Sequence, residues 1–493
     1  MSKDNFGFKH KSGILMAVSS LPSPYGIGTM GEPCYKWIDA LKEMKQTVWQ
    51  VLPLGPTAYG DSPYQSPSAM AGNPYYIDLE ALQKQGLLTV AELHSARHIT
   101  PKVDYGWLFE TRIALLRKAY ARFEPTGTYY QFRFAHKDWL LDYAHFMALK
   151  VQNGYRPWTE WNKEERDYRR ALVHRQTLTK EIGFWCWVQF VFFAQWSKVK
   201  HYAHKKGVRI IGDMPIYVAF DGVEVWSRPE EFCLDQDLNP TVVAGCPPDG
   251  FSPDGQLWGN PIYNWKRMKE EGYRWWIDRL SLAMKLYDIV RIDHFRGFAG
   301  YYTIRYGEST ARDGWWNEGP GKDLFKAVAS ALPKARIIAE DLGFITPDVR
   351  ELLDYTGFPG MKILQFAFFE ENNEYLPRMY TTDNCIVYTG SHDADCTRSW
   401  VDGLQGETKE RFKRECQRLK GESATRALIR MAYESRADLA VIPWQDYLEL
   451  TNEEGRMNTP AVAEGNWTWR ARRTPGKKMR AEVAALTKAT HRA

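Results

Sequence analysis

The chain has 493 residues, of which 44% are hydrophobic and 25% are charged, an ordinary composition for a globular protein with a large core. Its 65 basic and 60 acidic residues leave a net charge of only +5, which argues against nucleic acid as the main partner. The seven cysteines form no CxxC pair and no apolar run is long enough to span a membrane, so we expect reduced thiols, a cytoplasmic location and no membrane anchor.

Short apolar runs recur along the chain, and each ends in polar or turn residues. They lie at 13–21, 47–54, 207–218, 287–295, 335–343, 361–369, 385–393 and 438–448. Most are continuous rather than alternating, as expected for parallel strands that are buried on both faces. Helical patterns lie between many of them; one begins with Thr346 and Pro347 and ends at Gly357. Strand and helix repeated eight times predict an α/β fold, a (β/α)₈ TIM barrel.

The spacing of the runs predicts two insertions in a single barrel that occupies 1–493. Residues 57–206, after the second strand, contain several amphipathic helical patterns and form a mainly helical insertion. Residues 219–272, after the third strand, are rich in Pro, Gly, Trp and Asp and include a loop at 245–256. Insertions that follow barrel strands lie on the carboxyl-terminal face, where active sites of barrel enzymes are found.

Carboxylates follow four of the predicted strands. They are Asp213, Asp293, Glu340 and Asp393, and the stretch "RIDHFRG" around Asp293 adds Arg291 and His294. Each carboxylate alone could be an ordinary strand cap or ion-pair partner. Because the carboxyl ends of barrel strands converge, four such residues with His392 among them favour an active site.

Two carboxyl groups on either side of a sugar–sugar bond are what retaining glycoside chemistry requires. Alternation along a strand places Arg291 and Asp293 on one face, and a nearby cation favours an ionised carboxylate, so Asp293 is the candidate nucleophile. Glu340 follows the apolar run "RIIA", where desolvation would raise its pKa and suit it to acid/base work. Asp341 could serve instead, but neighbouring strand residues point to opposite faces. The 20 Trp, 27 Tyr and 23 Phe also suit the flat faces of sugar rings.

Several long stretches carry a family resemblance. They are "SSLPSPYGIGTMG", "GPTAYGDSPYQSPSAMAGNPY", "IIGDMPIYVAFD", "PPDGFSPDGQLWGNPIYNW", "RIDHFRGF", "IAEDLG", "LQFAF", "YTGSHD" and "GRMNTPAVAEGNWTWR". On these motifs, over nearly its whole length, the chain resembles the amylomaltases, the 4-α-glucanotransferases of glycoside hydrolase family 77. The resemblance implies a (β/α)₈ barrel with helical insertions that transfers α-1,4-glucan units through a covalent glucosyl-enzyme intermediate.

The resemblance also implies roles for individual residues. It makes Asp293 the nucleophile, Glu340 the acid/base and Asp393 the transition-state stabiliser. Tyr59 would stack on the reacting glucose, and the loop at 245–256 would cover the cleft. The substrate-binding residues that it implies are Tyr59, Asp213, Phe251, Gln256, Trp258, Arg291, His294, Phe366, His392 and Asn458. Among them, Gln256, Trp258 and Phe366 would line the acceptor side.

The expected partners are α-1,4-glucans and maltooligosaccharides, as donor and acceptor, with no cofactor, no metal, no nucleic acid and no membrane. The assembly expected is a monomer or homodimer. Two alternatives remain open from the residues: a retaining α-glucan hydrolase of the α-amylase clan, and a glucan-binding protein without catalysis. Ala394, Ala461 and Phe369 depart from the family pattern at positions that bear on acceptor binding and product size rather than on the chemistry.

Overall fold

The chain folds around an eight-stranded parallel sheet. The structure, a computed structural model, describes residues 7–248, 252–462 and 464–493. Its strands are β1 (Lys11–Leu15), β2 (Val48–Gln50), β3 (Arg209–Met214), β4 (Val242–Cys246), β5 (Gln256–Pro261), β6 (Ile289–Ile292), β7 (Gly300–Arg305), β8 (Trp315–Glu318), β9 (Ile337–Ala339), β10 (Gly360–Ile363), β11 (Cys385–Tyr388) and β12 (Leu439–Pro443).

Short and long helices connect these strands. They are α1 (Glu32–Glu43), α2 (Leu79–Lys84), α3 (Val90–Ser95), α4 (Tyr105–Ala121), α5 (Gly127–Ala135), α6 (Lys137–Gln152), α7 (Lys163–Arg166), α8 (Tyr168–Ala171), α9 (Thr179–Lys205), α10 (Val223–Ser227), α11 (Trp265–Glu270), α12 (Arg274–Leu286), α13 (Gly321–Ala331), α14 (Pro347–Thr356), α15 (Thr397–Asp402), α16 (Gly406–Glu415), α17 (Ala424–Glu434), α18 (Trp444–Tyr447), α19 (Asn452–Gly455) and α20 (Lys477–Ala489). Within the described ranges, no helix is both long and apolar enough to cross a membrane.

Eight of the strands form the barrel. They follow the order β10-β11-β12-β1-β2-β3-β6-β9, and every paired neighbour is parallel. The two end strands meet where the backbone N–H of Ala339 donates to the carbonyl of Pro359 at 3.0 Å. Each predicted apolar run overlaps one of these strands, so the predicted (β/α)₈ barrel is confirmed.

The strands are shorter than the runs that predicted them. In the run 47–54, only Val48–Gln50 is strand, yet residues 51–54 remain buried. An apolar run indicates that residues are buried, not that they pair in a sheet. The segments that follow the carboxyl ends of these strands are also buried, so the runs extend past the strands.

A helical layer separates β2 from β3 and holds the segment that follows β2. Its longest helix, α9, has 27 residues and buries a row of aromatic side chains that includes Trp187 and Trp196. Gln189 of α9 exchanges two hydrogen bonds with the backbone of Gly72, at 2.7 Å and 3.0 Å. A buried amide pair of this kind ties the segment to the helix, because losing either partner would leave the other unsatisfied.

A second, antiparallel sheet was not foreseen. Its order is β5-β4-β7-β8, so it joins two strands that follow β3 to two that follow β6. Its strands are short, and Gly and Pro interrupt "VVAGC" and "QLWGNP", which weakens any strand pattern. This sheet matters for function because β5 carries Gln256 and Trp258.

At the start of strand β1, one arginine side chain binds several backbone carbonyls. Arg492 is fully buried, and its guanidinium donates hydrogen bonds of 2.6–3.0 Å to the carbonyls of Lys11, Tyr433, Ser435 and Ala437. Lys11 begins β1, and the other three residues lie at the end of α17 or between α17 and β12, so Arg492 ties this helix to the start of the first strand.

Candidate active site

Three of the predicted carboxylates lie side by side at the carboxyl ends of adjacent barrel strands. Asp213 is the fifth residue of β3, and Asp293 and Glu340 immediately follow β6 and β9. The N–H of Asp293 donates to Met214 O and that of Glu340 to Ile292 O, both at 3.0 Å. Parallel pairing thus continues past the strand ends and places the carboxylates in one row.

Arg291 joins two of these carboxylates. Its Nη1 lies 2.7 Å from both oxygens of Asp213 and 3.0 Å from Oδ1 of Asp293. The side chains of Arg291 and Asp213 are almost wholly buried, whereas that of Asp293 is 28% exposed. The predicted proximity of Arg291 and Asp293 is therefore present, and Asp293 is the member of this trio that reaches the cleft.

The expected electrostatic effect of Arg291 is only partly realised. Burial raises the pKa of Asp293 to about 6, although Arg291 and His392 lower it, and the negative charge of Asp213 raises it further. Arg291 favours the ionised form of Asp293, as expected, but burial and the negative charge of Asp213 oppose it.

Glu340 occupies a site that suits a proton donor. Burial first, and the neighbouring charge of Asp293 second, raise its pKa to about 7. Its Oε2 accepts a hydrogen bond from the backbone N–H of His294 at 2.7 Å, and its Oε1 accepts one from that of Leu342 at 2.8 Å. Asp341 instead accepts a hydrogen bond from Met361 N at 2.6 Å, so it is committed to the adjoining strand β10.

Asp393 lies on the loop after β11 and is held in a charged pair. Its Oδ1 accepts a hydrogen bond from Asn458 Nδ2 at 2.7 Å, and its Oδ2 lies 3.2 Å from His392 Nε2. Burial would raise the pKa of Asp393, but His392, Asn458 and Arg291 together lower it to about 2. This carboxylate is therefore ionised at neutral pH.

The opposite wall is formed by His294 and β5. His294 has a φ of 53°, in the left-handed region that few non-glycine residues adopt, and this turn aims its N–H at Glu340. Burial lowers the pKa of His294 to about 3, so its ring is neutral. The ring meets Trp258 edge to face at 4.8 Å, and Trp258 Nε1 donates to Gln256 Oε1 at 3.1 Å.

These residues surround a cleft of about 260 Å³. Seven of the predicted site residues line it, namely Gln256, Trp258, Asp293, His294, His392, Asp393 and Asn458. Arg291 contacts Asp293 and Glu340 contacts His294 from the barrel side, and Asp213 lies behind Arg291. Such a polar cleft, walled by aromatic rings and carboxylates, fits a sugar chain.

Sequence reasoning missed Tyr64 and Trp467, which also line the cleft. Tyr64 donates to Asp213 Oδ2 at 2.8 Å, and its ring stacks on His392 at 5.1 Å with an interplanar angle of 17°. Trp467 packs on Tyr64 at 5.5 Å. Tyr64 lies in "YGDSPY", which contains two tyrosines, and only the tertiary contact with Asp213 distinguishes its role from that of Tyr59.

One predicted residue does not line the cleft, and two others cannot be placed. Phe366 follows β10 and packs edge to face on Tyr375 at 5.8 Å, and it is not among the cleft-lining residues. Phe251 and the side chain of Tyr59 lie outside the described residues.

Among the residues that are described, no group of three or more His, Cys, Asp or Glu side chains is arranged to hold a metal ion.

Comparison with known proteins agrees with this geometry. A protein-family model described as 4-alpha-glucanotransferase matches residues 16–474. A 4-alpha-glucanotransferase of Clostridium butyricum is 44% identical over 93% of this chain and 95% of its own, and one of Streptococcus pneumoniae is 45% identical over 94% and 93%. The solved structure of an amylomaltase from Streptococcus agalactiae in complex with acarbose is 40% identical, with a TM-score of 0.94 over 98% of this chain and 99% of that one. With the family model, the relatives and the barrel-end carboxylates in agreement, this chain belongs to the 4-alpha-glucanotransferase family.

Proposed function

We propose that this enzyme transfers α-1,4-linked glucosyl or maltooligosyl units from a donor glucan to the 4-hydroxyl of an acceptor glucan or glucose. The observation that carries the proposal is the position of Asp293 and Glu340 at the ends of adjacent strands, with Arg291 Nη1 at 3.0 Å from Asp293. Burial raises the pKa of both carboxyls, the negative charge of Asp293 raises that of Glu340 further, and Arg291 favours the ionised form of Asp293, so Asp293 is the group that ionises first. Retaining glycosyl transfer needs this division of roles.

In the first half-reaction, a carboxylate oxygen of Asp293 attacks the anomeric carbon of the donor sugar. The bond from that carbon to the glycosidic oxygen breaks, and Glu340 gives its proton to the departing oxygen. The product is a covalent glucosyl ester on Asp293 and a shortened glucan. Inversion at the anomeric carbon accompanies this step.

In the second half-reaction, Glu340 takes the proton from the 4-hydroxyl of the acceptor. The acceptor oxygen attacks the anomeric carbon, the ester bond to Asp293 breaks, and a second inversion restores the α-linkage. The same carboxyl thus acts as acid and then as base, and its pKa near neutrality suits both tasks.

The remaining site residues would bind the reacting glucose. Asp393 would accept hydrogen bonds from its hydroxyls as positive charge develops at the anomeric carbon, and an ionised carboxylate suits that role. His392, Asp213, Arg291 and Tyr64 would shape the same subsite. On the acceptor side, Trp258 offers an aromatic face beside Gln256.

We also propose that the loop at 245–256 covers the cleft while the intermediate waits for a sugar acceptor. Closure would exclude water, and this favours transfer over hydrolysis. The candidate residues all come from one chain, so a monomer or a homodimer would suffice. A cytoplasmic location is supported by the cysteine pattern of the sequence, in which seven scattered cysteines form no CxxC pair.

The test is to incubate the pure protein with maltotriose and to separate the products by size. Transfer yields glucose and a ladder of longer maltooligosaccharides at constant total reducing ends. Asp293→Asn should lower the rate by at least about 1000-fold while glucan binding persists. Asp278→Asn, the same change in an exposed ion pair of α12, is the matched control and should retain activity.

Two results would contradict the proposal. Glucose and maltose alone, with rising reducing ends, would make the protein a hydrolase. An Asp293→Asn variant that keeps a sizeable share of the rate would remove the nucleophile assignment.

A further inference from the structure

All three guanidinium nitrogens of Arg456 have partners, and these lie on two loops of the candidate site, the loop after β11 and the segment after α19. It follows α19, and its Nε donates to the carbonyl of Asn458 at 2.9 Å while its Nη2 donates to the carbonyl of Asp393 at 3.2 Å. Its Nη1 forms an ion pair with the carboxylate of Asp395. The side chain of Arg456 is 22% exposed, so this network is partly shielded from water.

The two residues whose carbonyls Arg456 binds also bind each other. Asn458 Nδ2 donates to Asp393 Oδ1 at 2.7 Å, and the backbone N–H of Asn458 donates to the carbonyl of His392 at 3.1 Å. Arg456 therefore closes a ring of contacts around the pair, with the side chains of Asp393 and Asn458 turned to the cleft and their carbonyls to the guanidinium.

The anchor of Arg456 is itself fixed in place. Asp395 Oδ1 accepts a hydrogen bond from Asn452 Nδ2 at 2.7 Å, and the carbonyl of Asp395 accepts one from Gln365 Nε2 at 2.9 Å. The guanidinium is thus positioned from the loop after β11, from α19 and from the residues that follow β10. Three separate segments therefore fix Arg456, either directly or through Asp395.

Asp393 needs such support more than the other carboxylates do. Asp213 is part of a strand, and Asp293 and Glu340 are held by ladder hydrogen bonds. Asp393 instead lies five residues past the end of β11, and its side chain is 44% exposed. Catalytic groups on loops lose rate steeply when their position drifts, because the transition state tolerates little misplacement.

We propose that Arg456 is a positioning residue that holds the side chains of Asp393 and Asn458 in the positions that the transition state requires. The inference rests on the proposed function of Asp393 and goes beyond it, since Arg456 itself reaches backbone and carboxylate groups rather than the cleft. A planar guanidinium with three differently directed nitrogens can span these partners, whereas the single ammonium of lysine cannot.

The test compares Arg456→Ala and Arg456→Lys with Arg430→Ala. Arg430 is a matched control because its side chain is similarly shielded, 18% exposed, and it bridges Glu422 and Glu434 away from the cleft. For maltotriose disproportionation, we expect Arg456→Ala to lower kcat on the order of 100-fold with little change in KM. Added guanidinium should restore part of that rate, and Arg456→Lys should restore little. Arg430→Ala should keep a near wild-type kcat.

Several outcomes would overturn the inference. They are a near wild-type kcat in Arg456→Ala, a rise in KM that accounts for the whole loss, no response to guanidinium, or an equal loss of kcat in Arg430→Ala. If Arg456→Ala does not fold, the kcat of folded Arg456→Lys decides in the same way. A wild-type protein that performs no transfer would instead refute the proposed function, so the two failures are distinguishable.

Discussion

Nη1 of Arg291 lies 2.7 Å from each carboxylate oxygen of Asp213. Both side chains are buried, so the ion pair stands in a region where charge interactions are little screened. The same Nη1 is 3.0 Å from Asp293. Asp213 therefore competes with Asp293 for one cation, and the proton affinity of Asp293 depends on a residue from a neighbouring strand.

Replacing Asp213 tests this competition. In Asp213→Asn the negative charge that raises the pKa of Asp293 is gone, and Arg291 is left to lower it. The acidic limb of the kcat/KM profile should move to lower pH, even though the variant binds sugar less well. A limb that stays in place, or moves to higher pH, would show that Asp213 does not govern this titration. Asp278→Asn on the surface should leave the profile unchanged.

The wild-type enzyme should show a narrow bell-shaped dependence of kcat/KM on pH. Activity should fall as pH drops below about 6, because Asp293 gains a proton, and fall again as pH rises above about 7, because Glu340 loses one. The two groups interact, so the limbs report apparent values of the pair. Rates of maltotriose disproportionation from acid to alkaline pH measure both limbs. A flat profile across this range would contradict the division of roles.

The acid role of Glu340 predicts a dependence on the leaving group. Glu340→Gln should lower the rate with maltotriose by about 100- to 10,000-fold, the usual contribution of a general acid. With α-glucosyl fluoride as donor, glycosylation needs little protonation, so the loss in that step should be much smaller. Single-turnover kinetics with the two donors separate the cases.

Asp341→Asn is the matched control for Glu340→Gln. Asp341 is half-buried beside Glu340, but it accepts a hydrogen bond from Met361 N of β10, so its replacement should lower stability and reduce the rate with both donors to the same extent. An equal loss with both donors in Glu340→Gln, or a donor dependence in Asp341→Asn, would move the acid role away from Glu340.

Arg492 predicts a stability effect that is separate from catalysis. In Arg492→Met, the carbonyls of Tyr433 and Ser435 lose their buried donor, so we expect the free energy of unfolding to fall by about 3 kcal/mol. Urea unfolding followed by tryptophan fluorescence measures the change, and activity per folded molecule should persist. Lys334→Met, at an exposed position, should shift neither quantity. An unchanged midpoint in Arg492→Met would show that water replaces the guanidinium at no cost.

The sequence by itself determined the barrel and the identity of its principal carboxylates. The eight apolar runs each overlap a strand, because burial on both faces gives a continuous apolar pattern that is visible in the local sequence. The places of Asp293 and Glu340 at strand ends could be predicted because each follows the most apolar part of such a run, and the proximity of Arg291 to Asp293 followed from strand alternation.

Tertiary structure decided the rest. The strands β4, β5, β7 and β8 are short, three of them contain Gly, and they become a sheet only through their pairing with one another. Tyr64 acquires its place from contacts with Asp213 and His392, which lie far away along the chain. The pKa of Asp293 depends on burial and on four neighbouring charged residues, of which Arg291 is only one. Local sequence encodes periodicity and strand order, whereas proton affinity and loop position are sums over distant groups that meet only in the folded chain.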